Sequence, residues 1–187
     1  MPTTTKPKPR ERLLAAAESL FYDEGVHVGV DRLCAEAGVS KRSMYQHFGS
    51  KDEVIVEMLR GRAATLSAGW STSEELDPRT RILAVFDSVQ ELAATPDFHG
   101  CPVVNVATEL KDRDHPASVA ALGYKLQLND FFADQAGLGG AADPASLAVQ
   151  LTMIFDGACA YSVVRGGGTE AARSAVEVLL DAHGVRA

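Results

Sequence analysis

Cysteine is scarce in this chain of 187 residues: there are three, Cys34, Cys101 and Cys159, odd in number, widely spaced and with no Cys-x-x-Cys pair. That pattern excludes a disulfide scaffold and a zinc finger, and it fits a reducing compartment. The short signatures of common catalysts are missing too: no Gly-x-Ser-x-Gly elbow, no Gly-x-x-x-x-Gly-Lys loop and no His-Glu-x-x-His. Gly166-Gly167-Gly168 follows a helical stretch, not a strand, so it is no dinucleotide loop. An enzyme, a cofactor and a metal centre are therefore not expected. No alternation of period two is sustained enough for a sheet, and there is neither an internal repeat nor a low-complexity domain. The first residues lack the apolar segment of a secretion signal, and no run reads as long enough to span a bilayer. The expectation is a soluble, cytoplasmic protein with no membrane partner.

Positive charge is also in short supply, with 18 Lys and Arg against 25 Asp and Glu and a formal net charge of −7. Spread evenly, that balance would argue against a polyanionic partner, but it is not even. Residues 1–51 carry eight cations and six carboxylates, net +2, whereas residues 52–187 carry ten and nineteen, net −9. The acidic part lies outside the first fifty residues, so the total does not exclude DNA and disfavours indiscriminate binding to it. A hydrophobic content of 46% with 23% charged residues is that of an ordinary globular chain.

Residues 1–9 hold three prolines, three threonines and two lysines, and read as a flexible basic arm whose Lys6 and Lys8, with Arg10, are candidates for added phosphate contacts. Leu13, Leu14, Ala17, Leu20 and Phe21 recur at helical spacing, giving a first helix over 10–24 closed by Gly25. A second helix is expected over 31–37, with Leu33 and Cys34 inward. Ser50 with Glu53 three residues on reads as a capping box for a helix through Val54, Ile55, Met58 and Leu59 to Trp70. A polar break over 71–77 follows. Asp77-Pro78 and Asp143-Pro144 each place a capping carboxylate before a proline at the first helical position. Further helices are expected from 78 to about 95, over 101–111, from His115-Pro116 through Leu122, Leu126, Phe131 and Phe132, from 144 to Gly166, and after Thr169. The fold class is all-α, about nine helices: a three-helix head on a larger helical body.

The stretch 37–51 is the most informative. Gly38 supplies the permissive backbone at a helix end, Val39 plugs a short turn, and Ser40 can cap the next helix. At about 100° per residue, Lys41, Arg42, Tyr45 and Gln46 share one arc while Met44 and Phe48 stack on the other side. Three cations and no carboxylate fall in this stretch. That is a helix-turn-helix with one face for a core and one for a phosphate backbone.

With Phe21, Gly25, Ala35, Ala37-Gly38-Val39-Ser40, Tyr45, His47-Phe48 and Lys51 in place, the sequence resembles the tetracycline-repressor-like (TetR/AcrR) transcription regulators over roughly residues 10–58. One departure is the loop 25–30, about one residue short, in which Gly29 stands where the family has a helix-capping, phosphate-binding hydroxyl. The resemblance implies domains at 10–52 for DNA binding and 53–187 for effector binding and dimerisation. It implies a repressor that binds a palindromic double-stranded operator as a homodimer and is released by a small-molecule effector. Family correspondence with helix geometry puts Lys41, Arg42 and Gln46 at base edges and Ser43, Tyr45, His47 and Lys51 at phosphates.

The expected effector pocket is mostly apolar, lined by Phe86, Phe98, Cys101, Val104, Asn105, Phe131 and Phe155. Some family members carry a segment similar to Gly100-Cys101, Asn105 and Glu109, and in some the cysteine senses oxidants. A DNA-binding thiol sensor acting through Cys101 is therefore the alternative, and it needs a partly exposed thiol. A helical carrier or enzyme-like protein is the more distant one. Asp97, His99, Cys101 and His115 are metal-ligating residue types, but their spacing matches no established set. Small residues along the last two helices, Gly157, Ala158, Ala160, Ala171, Ala172 and Ala175, would let helices approach closely, and the resemblance implies a four-helix dimer interface there.

Overall fold

The computed structural model describes residues 7–71 and 76–186, and among these nine helices and no strand are found. The arm residue Lys6 and most of the polar break, 72–75, lie outside the described residues. By contact the chain divides into two compact units: residues 1–62 with 105–121, and residues 63–104 with 122–187. Residues 53–62, ten residues beyond the expected head, and the distant segment 105–121 gather with it by contact.

In the first unit α1 (Pro9–Asp23) starts on a proline at its first position, where no N–H is required, and Glu11 accepts the Lys8 N–H at 2.8 Å. Leu13, Ala16, Ala17, Leu20 and Phe21 form its buried face, against α2 (Val30–Ala37) and α3 (Lys41–His47). Leu33 and Cys34 of α2 point inward as expected. Helix α2 ends at Gly38, which takes φ +60, a left-handed conformation that closes the helix. Its last carbonyls are held by Arg12, whose Nη1 donates to Ala37 O at 3.1 Å and Gly38 O at 2.9 Å. A cation at a helix C-terminus complements the dipole there. Helix α4 (Lys51–Ser71) begins with Glu53 N–H donating to the Ser50 hydroxyl at 3.1 Å. The expected capping box is displaced by one residue, because the Glu53 carboxylate accepts from Gly49 N–H at 2.6 Å instead of from Ser50.

In the second unit α5 (Pro78–Ala93), α8 (Pro144–Arg165) and α9 (Glu170–Ala182) pack on one another. Asp77 accepts the Thr80 N–H at 2.9 Å and Asp143 that of Ser146 at 3.0 Å, so both aspartate–proline starts are formed as expected. Ile82, Phe86, Leu147, Leu151, Val176 and Leu180 are buried there. Arg79 ties the chain end by donating to Asp181 at 2.8 Å and to Val185 O at 3.0 Å. The remaining helices are α6 (Pro102–Leu110) and α7 (Pro116–Leu138). The unit boundaries fall inside α4, α6 and α7, so each contributes residues to both units.

Two expectations are corrected here. Helix α8, 22 residues with a window of mean hydropathy 1.5, is long and apolar enough by composition to cross a membrane, contrary to the reading that no run is. It packs against α5 and α9 on one side, and 39% of that window is buried. Ala158, expected on the small-residue stripe, is buried in that core, as are Phe155 and Cys159.

Candidate nucleic-acid interface

Ser40 is the N-cap of α3, its hydroxyl accepting the Ser43 N–H at 3.1 Å. Met44 and Phe48, at 0% and 2% exposure, fix the helix to the core of the first unit. The opposite face presents Lys41, Arg42, Tyr45, Gln46 and His47 to solvent, with Ser43 half-buried at its edge. This is the arc expected from helical geometry. The side chains of Arg42, Gln46 and His47 make no hydrogen bond or ion pair among the described residues, so nothing must be broken before they meet a partner.

Two of the expected contacts are already engaged. Lys41 pairs with Asp31 of α2 at 2.7 Å, and the hydrogen bond to that carboxylate raises its pKa, keeping it charged. Lys51 turns inward: its Nζ donates to Val26 O at 2.7 Å and to Val28 O at 3.2 Å. An ammonium has three donors, so two carbonyls leave one for a phosphate. Arg10, counted with the basic arm, lies in the first turn of α1, paired with Glu57 at 2.6 Å and set over the Phe48 ring at 5.3 Å.

The residues expected to line an effector pocket separate into groups. Phe86 and Phe155 lie 6.5 Å apart between ring centroids, and Phe86 is linked through Phe132 to Phe131 at 5.8 Å per step. Trp70 extends this cluster, 5.4 Å from Phe131 and 5.7 Å from Tyr124. Lys125 lies 4.7 Å over Phe155 and pairs with Asp156. Phe98 instead lines a cavity of about 670 Å³ with His99, Ser162 and Thr169, and none of the other six expected residues is in its walls. Val104 and Asn105 are half-buried, Val104 in the second unit and Asn105 in the first.

Cys101 is only 6% exposed, against the open thiol that redox sensing requires. Burial first, and Cys101 nearby second, push the Cys159 thiol up to about 12. His115, weighed as a metal ligand, belongs to the first unit, where it faces Asp52 at 3.4 Å.

Sequence reasoning passed over Arg12, Trp70, Tyr124 and the Lys125–Asp156 pair, whose partners are far away along the chain and leave no local signal. In the sequence Glu109 stands out only by its spacing from Cys101. Its carboxylate accepts the Val26 N–H at 2.7 Å, across 83 residues.

The family model described as bacterial regulatory proteins, tetR family, matches residues 13–58. A crystal structure from Streptomyces avermitilis MA-4680, described as a TetR-type transcriptional regulator, superposes with a TM-score of 0.90 at 44% identity, covering 96% of this chain and 100% of that one. A TetR-family transcriptional regulator from Streptomyces coelicolor gives 0.83 and 31%, covering 94% and 96%. Among curated proteins, the transcriptional activator FasR of Mycolicibacterium smegmatis is 35% identical over 88 residues, 43% of this chain and 40% of that protein. This chain spans 40–60% of the length of the curated relatives it matches.

Proposed function

From the premise that the chain belongs to the TetR family of transcriptional regulators, we propose that it binds a palindromic DNA operator as a homodimer and releases it when a small molecule enters the helical body. The action is that of a repressor in the cytoplasm, with residues 10–52 reading DNA and 53–187 binding the effector and the second subunit. The observation that carries this is the outward face of α3, where Arg42, Gln46 and His47 stand exposed and unpaired on a helix anchored by Met44 and Phe48. In this reading Lys41, Arg42 and Gln46 meet base edges, while Ser43, Tyr45, His47 and Lys51 hold phosphates on either side of the groove.

Release follows from differential affinity: the effector must favour a conformation in which the two heads no longer match the two half-sites. The aromatic cluster of Phe86, Phe131 and Phe155, with Lys125 and Asp156 beside it, suits an effector that is largely apolar with a polar end.

Fluorescence anisotropy with DNA from upstream of the gene tests the reading. If Lys41, Arg42, Lys51 and their dimer mates neutralise about six phosphates, log K falls with log[salt] at a slope of roughly −5. A flat salt dependence, or equal affinity for unrelated DNA, would reduce the basic face to solvated surface.

A further inference from the structure

Glu109 is the last acidic residue of α6, and it has no part in the expected DNA contacts or in the expected pocket. Yet it reaches the loop between α1 and α2. Its carboxylate takes the Val26 N–H at 2.7 Å, while on the other side of that residue Lys51 takes Val26 O at 2.7 Å and Val28 O at 3.2 Å. Both polar groups of Val26 are thus held by charged side chains, one from α6 and one from the first residue of α4. Charge-assisted bonds of this type are shorter and stronger than neutral ones.

Gly25 completes the arrangement. It has φ +90, and a Cβ there would lie 2.6 Å from the Glu109 carboxylate and 2.9 Å from the His27 ring. A side chain at residue 25 would be strained and would crowd the carboxylate. Val26 and Val28 are buried, so the loop is anchored, and the helix that follows it, α2, packs against α3. The position of this loop therefore bears on the position of the recognition helix.

We propose that Glu109 is a positioning residue for the DNA-binding face. It holds the α1–α2 loop in the DNA-competent position through the Val26 amide. This rests on the function proposed above. Helix α6 is one continuous run of nine residues, with Val103 and Val104 near its start and Glu109 near its end. Glu109 thus stands one residue from the end of α6, against the Val26 amide. The bond also lines an open cleft of about 580 Å³ with His27, Thr108 and Lys111, so water can take over both partners without unfolding.

Charge makes the test discriminating. Removing a carboxylate from a unit that binds a polyanion tightens binding by electrostatics alone, whereas loss of the clamp weakens it. In the full-length protein, Glu109→Ala should exchange the Val26 amide proton at least about tenfold faster by NMR, the loss of one charge-assisted bond. It should also raise Kd on the upstream DNA by about tenfold while leaving the salt slope unchanged. Glu109→Gln, which keeps an acceptor oxygen, should stay within about threefold of the wild type on both measures, since a neutral bond retains part of the interaction. Unchanged Val26 exchange in Glu109→Ala, or binding as tight as or tighter than wild type, overturns the proposal. Wild-type protein that ignores its upstream DNA would count against the regulator reading instead, and Val26 exchange would then decide the clamp by itself.

Discussion

Arg42 and Lys51 carry the same charge and lie nine residues apart, yet their surroundings assign them different work. The Arg42 guanidinium is exposed and makes no ion pair, while the Lys51 ammonium is half-buried against the carbonyls of Val26 and Val28. Arg42→Ala should cost about 1–3 kcal/mol on the operator and relax discrimination at one base pair per half-site. Lys51→Ala should weaken binding to operator and unrelated DNA alike, and it should also lower folding stability by about 1–2 kcal/mol, because two buried carbonyls lose a charged donor. Competition against single-base operator variants, together with thermal melts, separates the two. An unchanged preference profile for Arg42→Ala puts Arg42 on the backbone, and an unchanged melt for Lys51→Ala removes its structural share. The sequence shows a cation at the head of α4. It cannot show that the side chain folds back onto carbonyls more than twenty residues earlier, just as it cannot show Glu109 meeting Val26.

At the scale of the element, helix starts were legible because they are written locally. Ser40, Asp77 and Asp143 each lie three residues from the N–H they accept, so a short window holds the whole interaction. The Thr80 hydroxyl and backbone N–H both hydrogen-bond to the Asp77 carboxylate, and these bonds hold its pKa below the ordinary 3.8. A carboxyl with a folded pKa below its unfolded one adds stability that is present above the unfolded value and is lost as pH falls through the folded one. Asp77→Ala should therefore cost about 1 kcal/mol near neutral pH, and the difference from wild type should shrink as the pH is taken below 3.8. Paired denaturant titrations check it; a difference that persists in acid would mean that the charge of Asp77 contributes nothing. The aromatic cluster was less legible because its rings come from four helices. Phe86, Phe131 and Phe155 fall in one aromatic cluster, but Phe98 follows α5 in a loop, and no periodicity tells which way a loop residue faces.

For the whole molecule, what stands out is the apolar surface of α8 and α9 that a single chain leaves uncovered. Val149, Met153, Tyr161 and Val164 lie along one face of α8 and are all exposed, Met153 at 69% and Val164 at 83%, with Val178 of α9 at 67%. Gly157 and Ala160, two of the small residues first noticed in the sequence, lie on the same exposed face, whereas Ala158 turns to the core. Burial thus separates the small residues of α8 into an exposed set and a core set. An apolar face of this kind, on a chain proposed to read a palindrome, fits a second copy related by a two-fold axis, each subunit supplying the same surface. The high hydropathy of α8 follows from apolar residues on both sides, one buried in its own core and one exposed. The double variant Met153→Glu, Val164→Asp places like charges across such an interface without touching α3 or the packing of Leu147 and Leu151. By sedimentation it should be monomeric with unchanged helical content, and its operator affinity should fall on the order of 100-fold or more, because two linked half-sites become two independent ones. A variant that remains dimeric would move the interface off this face, and a monomer that keeps full operator affinity would break the link between dimerisation and recognition.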